Sequence, residues 1–198
     1  WILKRNALPL FAGSLTLIAL AVEHDLDIAA IDIKTFFLYG NLPDDVYMEQ
    51  PPEWEEAGFP AADYVCKLRK SMYGLPQAPH CAQGTLSETL LQGSYSQSIA
   101  DDCVYSRGTP RSANYAATGS HVDDLLSIGT TAGLNHLQST LESKFELAVD
   151  VNPSSITGVQ IVRDRANKWL KLHQAAYIDE MLVEFNMTEC NPVDTPMD

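Results

Sequence analysis

Three aspartates are the residues of this sequence best placed to do chemistry. Asp32 interrupts the short apolar run of residues 28–33, and Asp123 and Asp124 stand between Val122 and a Leu-Leu pair. A carboxylate in an apolar run costs several kcal/mol unless a cation or hydrogen bonds offset its charge. We therefore expect a buried Asp32 that needs a partner, and we expect Asp123 and Asp124 at a strand end or around a cation.

The Asp-Asp dipeptide alone is weak evidence, because the sequence holds three of them. Asp44 and Asp45 follow Asn-Leu-Pro and indicate a solvated turn, and Asp101 and Asp102 indicate a loop or cap before a strand. The flanking apolar residues set the third pair apart. For that pair, an ordinary polar turn at the tip of a hairpin remains the alternative to a metal site.

Transfer of a nucleotide to a 3′ hydroxyl is one chemistry that such carboxylates support. It uses two divalent ions about 4 Å apart, and Mg²⁺ prefers hard oxygen ligands such as carboxylates, water and phosphate. Successive residues of a straight strand point to opposite faces, so either a tight turn aims Asp123 and Asp124 at one ion or the second acid has a lesser role than the first. Asp32, on its own strand, is the expected third ligand.

The elements that must position these residues alternate between strands and helices, which predicts an α+β fold. Amphipathic or buried patterns predict four helices, at residues 14–25, 78–91, 131–145 and 175–185. Strand patterns occur at residues 28–33, 46–50, 64–68, 103–105, 114–118 and 122–128, and in a hairpin of residues 156–162 and 169–172. Asp123 and Asp124 thus fall at the tip of a hairpin.

Amino-acid composition limits the classes of protein to which the chain can belong. The four cysteines show no metal-ligand or disulfide spacing and indicate a reducing, intracellular setting. The one long apolar stretch, residues 7–22, is interrupted by Pro9, Gly13 and polar residues, so no membrane span is expected. The net charge of −13, with only 13 Lys and Arg, argues against strong binding of phosphate backbones by this chain alone.

Six ordered blocks resemble the reverse transcriptase domain of Ty1/copia-type retrotransposons. They are IDIKTFFLYGNL (31–42), VYMEQP (46–51), VCKLRKSMYGLPQAP (65–79), DCVY (102–105), HVDD (121–124) and ITGVQI (156–161). The resemblance implies a right-hand polymerase: a palm-like antiparallel sheet with packed helices and part of the fingers over residues 1–190, incomplete at its N-terminus. Residues 191–198 would be a linker-like exit toward a connection segment and RNase H.

The resemblance also implies roles for individual residues. Asp32, Asp123 and Asp124 would be catalytic and would hold two Mg²⁺ ions, with Mn²⁺ as the alternative. Phe36, Phe37 and Gln77 would contact the incoming nucleotide, with Phe37 as the steric gate against a 2′ hydroxyl, and Thr157, Gly158 and Val159 would grip the primer. The implied partners are an RNA or DNA template with primer, deoxynucleoside triphosphates, and the integrase and RNase H of a polyprotein, in a cytoplasmic particle or the nucleus.

Departures from the family pattern lie near the implied site. Phe36 stands where the family has a small alanine, and its ring would crowd the nucleotide. His121 replaces a tyrosine, and residues 116–120 have poor strand propensity, so we expect a less rigid hairpin. Two alternatives to an active polymerase follow: a decayed or domesticated, non-catalytic remnant of the same fold, and a two-metal nuclease, in which the gate and primer hairpin would have no purpose.

Overall fold

The computed structural model describes residues 12–51, 58–156 and 158–191. Within these ranges lie four helices: α1 (Ala12–Glu23), α2 (Ala78–Gln92), α3 (Thr131–Glu142) and α4 (Ala175–Glu184). A short 3-10 helix, Phe36–Tyr39, follows the first strand. The strands are β1 (Asp27–Ile33), β2 (Tyr47–Met48), β3 (Cys66–Lys67), β4 (Ser96–Gln97), β5 (Val104–Arg107), β6 (Ala116–His121), β7 (Asp124–Gly129), β8 (Leu147–Val151), β9 (Ser155–Ile156), β10 (Val159–Asp164) and β11 (Trp169–His173).

A six-stranded antiparallel sheet is the centre of the molecule. Its strand order is β4-β5-β6-β7-β1-β8, so β1 lies between the hairpin strand β7 and the edge strand β8. A second, three-stranded sheet has the order β11-β10-β9, and β2 and β3 form a separate pair. The expected α+β class with an antiparallel sheet and packed helices is confirmed, while its division into palm and fingers stays a prediction.

Strand alternation divides the core into two layers, because successive side chains point to opposite faces. On one face Ile31, Ile33 and Leu125 pack in a cluster with apolar residues of α2 and α3, including Leu86 and Leu137. The other face has a second cluster, in which Ile28, Leu126 and Ile128 meet Leu17, Ile18 and Ala21 of α1 and Ile161, Leu170 and Leu172 of the small sheet. The central sheet is thus covered on both sides along most of its length.

The sequence of β6 gives little indication that this segment is a central strand. Its residues Ala116 to Ser120 are all buried, although Gly119 and the small side chains around it have low strand propensity. Two paired neighbours, β5 and β7, hold the backbone, and Thr118 Oγ1 lies 2.8 Å from Ser127 Oγ across the pair. Tertiary pairing therefore overrides local propensity and makes β6 a central strand.

The small sheet is fastened to the central layers by two arginines. Arg163 donates to the carbonyl oxygens of Leu26 at 2.7 Å and Ala21 at 3.0 Å, and only 13% of its side chain is exposed. Arg165 forms ion pairs with Asp25 at 2.7 Å and Asp27 at 2.9 Å. These contacts fix the β10–β11 hairpin against the connection between α1 and β1.

Candidate active site

The structure brings Asp32 and Asp124 together as direct partners across β1 and β7. The backbone nitrogen of Ile33 donates to the Asp123 carbonyl at 2.9 Å, which makes Ile33 and Asp123 the hydrogen-bonded pair of the ladder. Asp32 and Asp124 are then a non-hydrogen-bonded pair, the type in which the Cα atoms lie about 4.5 Å apart and the side chains are closest. Both carboxylates therefore project from the same face of the sheet.

Asp123 lies in the two-residue turn between β6 and β7. His121 pairs with Asp124, so Val122 and Asp123 are the two central residues of a tight hairpin. Val122 has a φ of 60°, whereas Asp123 is not among the residues with positive φ, which is the pattern of a type II′ turn. A β-branched residue in this conformation is a genuine outlier and strained. The predicted tight turn at the hairpin tip is confirmed.

Asp32 is exposed, which corrects the expectation that it is buried. It lies one residue before the end of β1, beyond the part of the sheet that α1 and the small sheet cover. The apolar residues around it led to the wrong expectation because they alternate: Ile31 and Ile33 point to the opposite, buried face. Water can thus solvate the Asp32 carboxylate without a cation.

The three carboxylates interact electrostatically. Burial raises the pKa of Asp124, the charges of Asp123 and Asp32 raise it further, and His121 lowers it in part. A cation between the carboxylates would remove this repulsion, and their hard oxygens suit Mg²⁺. Over the described part of the chain, no three His, Cys, Asp or Glu side chains stand arranged as a ready metal site.

A cavity of about 270 Å³ opens beside the carboxylate pair. Asp32 and Asp124 line it together with Asp150 of β8 and with Ser155 and Ile156 of β9. The hairpin between β9 and β10 therefore begins at the wall of the same cavity. Sequence patterns did not indicate Asp150 or Ser155, and the only local signal was that Ser155 directly precedes the predicted primer hairpin.

Two of the three residues predicted to grip the primer, Gly158 and Val159, lie between β9 and β10 and at the first position of β10. Gly158 is exposed and has a φ of 81°, a conformation that glycine adopts without strain. Val159 is buried and pairs with Ile156. Thr157 lies outside the described residues. Gly158 is therefore the predicted primer-grip residue that lies exposed at the turn.

Two of the residues predicted to contact a nucleotide follow β1 in the 3-10 helix. The ring of Phe36 is 2% exposed and belongs to the core cluster of α2 and α3, so it does not crowd an open site. The packing under the 3-10 helix has room for the ring, and the nucleotide contact of Phe36 stays a prediction. Phe37 is half-buried, and its ring contacts Tyr73 edge-to-face at a centroid distance of 5.0 Å.

Gln77, the third predicted nucleotide contact, precedes α2. Its side chain is half-buried and makes no capping hydrogen bond to the helix, while its carbonyl accepts from the backbone nitrogen of Cys81 at 3.0 Å. The helix packs on the 3-10 helix, where Thr85 Oγ1 donates to the Tyr39 carbonyl at 3.3 Å. The side-chain amide of Gln77 therefore does not cap α2.

Lys34 is a basic side chain close to the carboxylates. It forms an ion pair with Glu146 at 2.6 Å, and its backbone nitrogen donates to the Glu146 carbonyl at 2.9 Å. The Glu146 contact, with a smaller contribution from Asp32, raises the pKa of Lys34. The ion pair ties the end of β1 to the start of β8. Both side chains are more than half exposed, so the pair stabilises the fold little.

Comparison with known proteins gives concordant matches. The family described as reverse transcriptase (RNA-dependent DNA polymerase) matches residues 13–198. The chain is 38% identical over 184 residues to the retrovirus-related Pol polyprotein from transposon TNT 1-94 of Nicotiana tabacum, covering 92% of this chain and 14% of that relative. It is 34% identical over 181 residues to the corresponding polyprotein from transposon RE2 of Arabidopsis thaliana, with coverage of 91% and 12%.

A shorter match, 33% identity over 96 residues, is to the putative transposon Ty5-1 protein YCL074W of Saccharomyces cerevisiae, and it covers 48% of this chain and 30% of that protein. No solved structure matches the chain. The chain spans about one seventh of the tobacco relative and about one eighth of the Arabidopsis relative. None of the described helices is both long enough and apolar enough to cross a membrane.

Proposed function

Because the chain belongs to the reverse transcriptase family of Ty1/copia-type retrotransposons, we propose that it catalyses RNA-directed DNA synthesis as part of a Pol polyprotein. The observation that carries this proposal is the cross-strand pair of Asp32 and Asp124, with Asp123 in the adjoining turn. The proposed substrates are deoxynucleoside triphosphates and a primer on an RNA or DNA template.

In the proposed reaction the 3′ hydroxyl of the primer loses its proton to water and its oxygen bonds to the α-phosphorus of the nucleotide, while the bond from that phosphorus to the bridging oxygen breaks and pyrophosphate leaves. Asp32 and Asp123 would bind both divalent ions, with Asp124, the cross-strand partner of Asp32, beside them. When bound, two Mg²⁺ ions supply activation of the attacking oxygen and stabilisation of the charge on the triphosphate. Two protein carboxylates suffice for this, since Mg²⁺ takes its other ligands from water and phosphate.

Three other parts of the chain would position the substrates. Phe37 would lie under the sugar as the gate against a 2′ hydroxyl, and Gln77 would contact the incoming nucleotide. The β9–β10 turn with Gly158 would place the primer end, which is supported by the cavity that β9 shares with the carboxylate pair. Base pairing with the template would select the base.

Primer extension on an RNA template with Mg²⁺ and deoxynucleotides tests the proposal. Asp123→Ala and Asp124→Asn should each lower the rate of incorporation by roughly a thousandfold or more, because several kcal/mol of charge stabilisation is lost. Asp44→Ala is the matched control, since Asp44 belongs to another Asp-Asp pair and is exposed in a turn. Asp44→Ala should keep the unmodified rate.

The same experiment decides between activity and decay. If an extended piece of the polyprotein shows no incorporation that depends on Asp123 and Asp124, the chain is the non-catalytic remnant. Incorporation by the unmodified chain that survives both substitutions would point to a contaminating polymerase and would equally remove support for the proposal.

A further inference from the structure

The segment of Ser71 to Tyr73 packs against the turn that carries Phe37. The backbone nitrogen of Ser71 donates to the Gly40 carbonyl at 2.9 Å, and the Ser71 hydroxyl donates to the carbonyl of Phe37. Ser71 is 1% exposed, so its hydroxyl is committed to this contact. At Gly40 the approach is close: a Cβ there would come within 2.8 Å of the Ala82 backbone nitrogen. The backbone around Phe37 is therefore held from two sides.

The ring of Phe37 contacts two other aromatic rings. On its inner side is Phe36, buried in the core, with 5.9 Å between the ring centroids. On its outer side Tyr73 contacts it edge-to-face, with a centroid distance of 5.0 Å and an interplanar angle of 79°. Tyr73 itself is 55% exposed. The inner contact is fixed by the core, and the outer contact depends on one surface residue.

We propose that Tyr73 is a positioning residue for Phe37 and thereby sets how strictly the site rejects nucleotides with a 2′ hydroxyl. This inference rests on the proposed role of Phe37 as the gate. A gate excludes a hydroxyl only while its ring stays in place, and small displacements of a positioning group have large kinetic effects. Without Tyr73, the half-buried Phe37 ring loses this edge-to-face contact and can turn away from the sugar.

Because Tyr73 is exposed, its proposed positioning role can be distinguished from a contribution to core packing. A side chain that leaves more than half of its surface in water contributes little burial, so its removal should leave the fold intact. What it contributes is the edge-to-face contact, a geometry that aromatic pairs prefer and that a phenylalanine can also make. Tyr73→Phe should therefore preserve the function, and Tyr73→Ala should lose it.

The test compares incorporation of a deoxynucleotide with that of the matching ribonucleotide. In the full chain, Tyr73→Ala should lower the ratio of the two kcat/KM values by roughly 2- to 10-fold, the range that loss of one edge-to-face contact represents. Most of the change should come from a gain in ribonucleotide use. Tyr73→Phe should restore the ratio. Tyr64→Ala is the matched control, because Tyr64 is also exposed and makes the same type of contact with Phe59, at 5.0 Å.

Phe37→Ala separates failure of this inference from failure of the proposed gate. If Phe37→Ala leaves the ratio unchanged, the gate role is wrong. If Phe37→Ala lowers the ratio and Tyr73→Ala does not, the gate stands and the positioning role of Tyr73 is wrong. In the double variant the effects should not add, because Tyr73 acts through Phe37.

A second readout does not need catalysis. Fluorine NMR of 4-fluorophenylalanine placed at position 37 reports the environment of that ring directly. Tyr73→Ala should shift the resonance and broaden it, while Tyr64→Ala should leave it in place. An unmoved resonance in Tyr73→Ala would show that Tyr73 does not hold the ring, and it would overturn the inference even for a chain without polymerase activity.

Discussion

At the scale of single residues, Asp124 combines its proposed chemical role with a cost to the fold. Its pKa is raised by burial and by the charges of Asp123 and Asp32. Ionisation of Asp124 therefore opposes folding above the raised pKa, and this opposition vanishes once the pH falls below the ordinary carboxyl value. A residue that weakens the fold where it does its work is typical of functional sites.

Asp124→Asn should accordingly raise the free energy of unfolding of the metal-free chain at neutral pH. The gain should shrink toward zero near about pH 4, where the wild-type carboxyl is protonated as well. Urea denaturation across this pH range measures it. Asp44→Asn, in an exposed turn, should show no comparable gain; an equal gain in both variants would mean that net charge, and not the site, is responsible.

Phe36 gives a second prediction at this scale. Its ring is 2% exposed in the core cluster, so Phe36→Ala should leave a cavity and destabilise the fold by about 3–5 kcal/mol. Thermal or urea unfolding measures the loss, and Phe37→Ala, from a half-buried position, should cost less. Had Phe36 crowded a nucleotide, as its sequence context suggested, Phe36→Ala would raise activity without a large loss of stability.

At the scale of elements, the hairpin of β6 and β7 holds Asp123 through a strained turn. Val122 is 40% exposed and has a φ of 60°, a conformation that costs a non-glycine residue about 1–3 kcal/mol. Val122→Gly relieves this cost but adds freedom to the unfolded chain. The net expectation is stabilisation by about 1 kcal/mol, with lower polymerase activity because the turn that aims Asp123 loosens.

Unfolding in urea and primer extension together check the Val122→Gly prediction. Gly133→Ala should behave in the opposite way and destabilise the fold, since its added Cβ would meet the Tyr115 backbone. A Val122→Gly variant that loses stability would show that the valine side chain contributes packing that outweighs the strain.

Local patterns predicted most elements of this fold, but not the edge strands β4 and β8 of the central sheet. Apolar periodicity placed α2, α3 and α4 within a few residues of their observed bounds, and the Asp123 and Asp124 pair at a hairpin tip. The pairing of Asp32 with Asp124 could not be derived in this way, because register between β1 and β7 joins residues 92 positions apart. Nor could the sequence show that Phe36 is buried and Phe37 only half-buried, since both depend on how α2 and the Ser71 segment cover the 3-10 helix.

Anchoring of the small sheet is a further prediction at this scale. Arg163→Met removes donors to the Leu26 and Ala21 carbonyls and should destabilise the fold by about 1–3 kcal/mol. Hydrogen exchange should rise mainly in β10 and β11, which the arginine fastens to the connection before β1. Lys171→Met, an exposed change on β11, is the control. Uniformly faster exchange across the chain would mean that the arginine supports the whole core instead.

At the scale of the whole molecule, net charge should determine how strongly the chain binds nucleic acid. The chain carries a net charge of −13 with 13 Lys and Arg residues. Four of the described basic residues, Lys34, Lys67, Arg163 and Arg165, are already bound in ion pairs with Asp or Glu. Because 26 Asp and Glu residues outnumber the 13 Lys and Arg residues, repulsion from phosphates should keep the affinity of this chain alone for a primer and template low.

Salt dependence of binding makes this expectation quantitative. A plot of log affinity against log salt concentration falls with a slope of about −0.9 for each phosphate that duplex binding neutralises. For the 198-residue chain we expect a slope no steeper than about −4, measured by fluorescence anisotropy of a labelled primer and template. A longer piece of the polyprotein should bind more tightly and with a steeper slope. A slope of about −8 for the 198-residue chain alone would show that its own basic residues form the main nucleic-acid surface. The net negative charge would then be a poor guide to where the template binds.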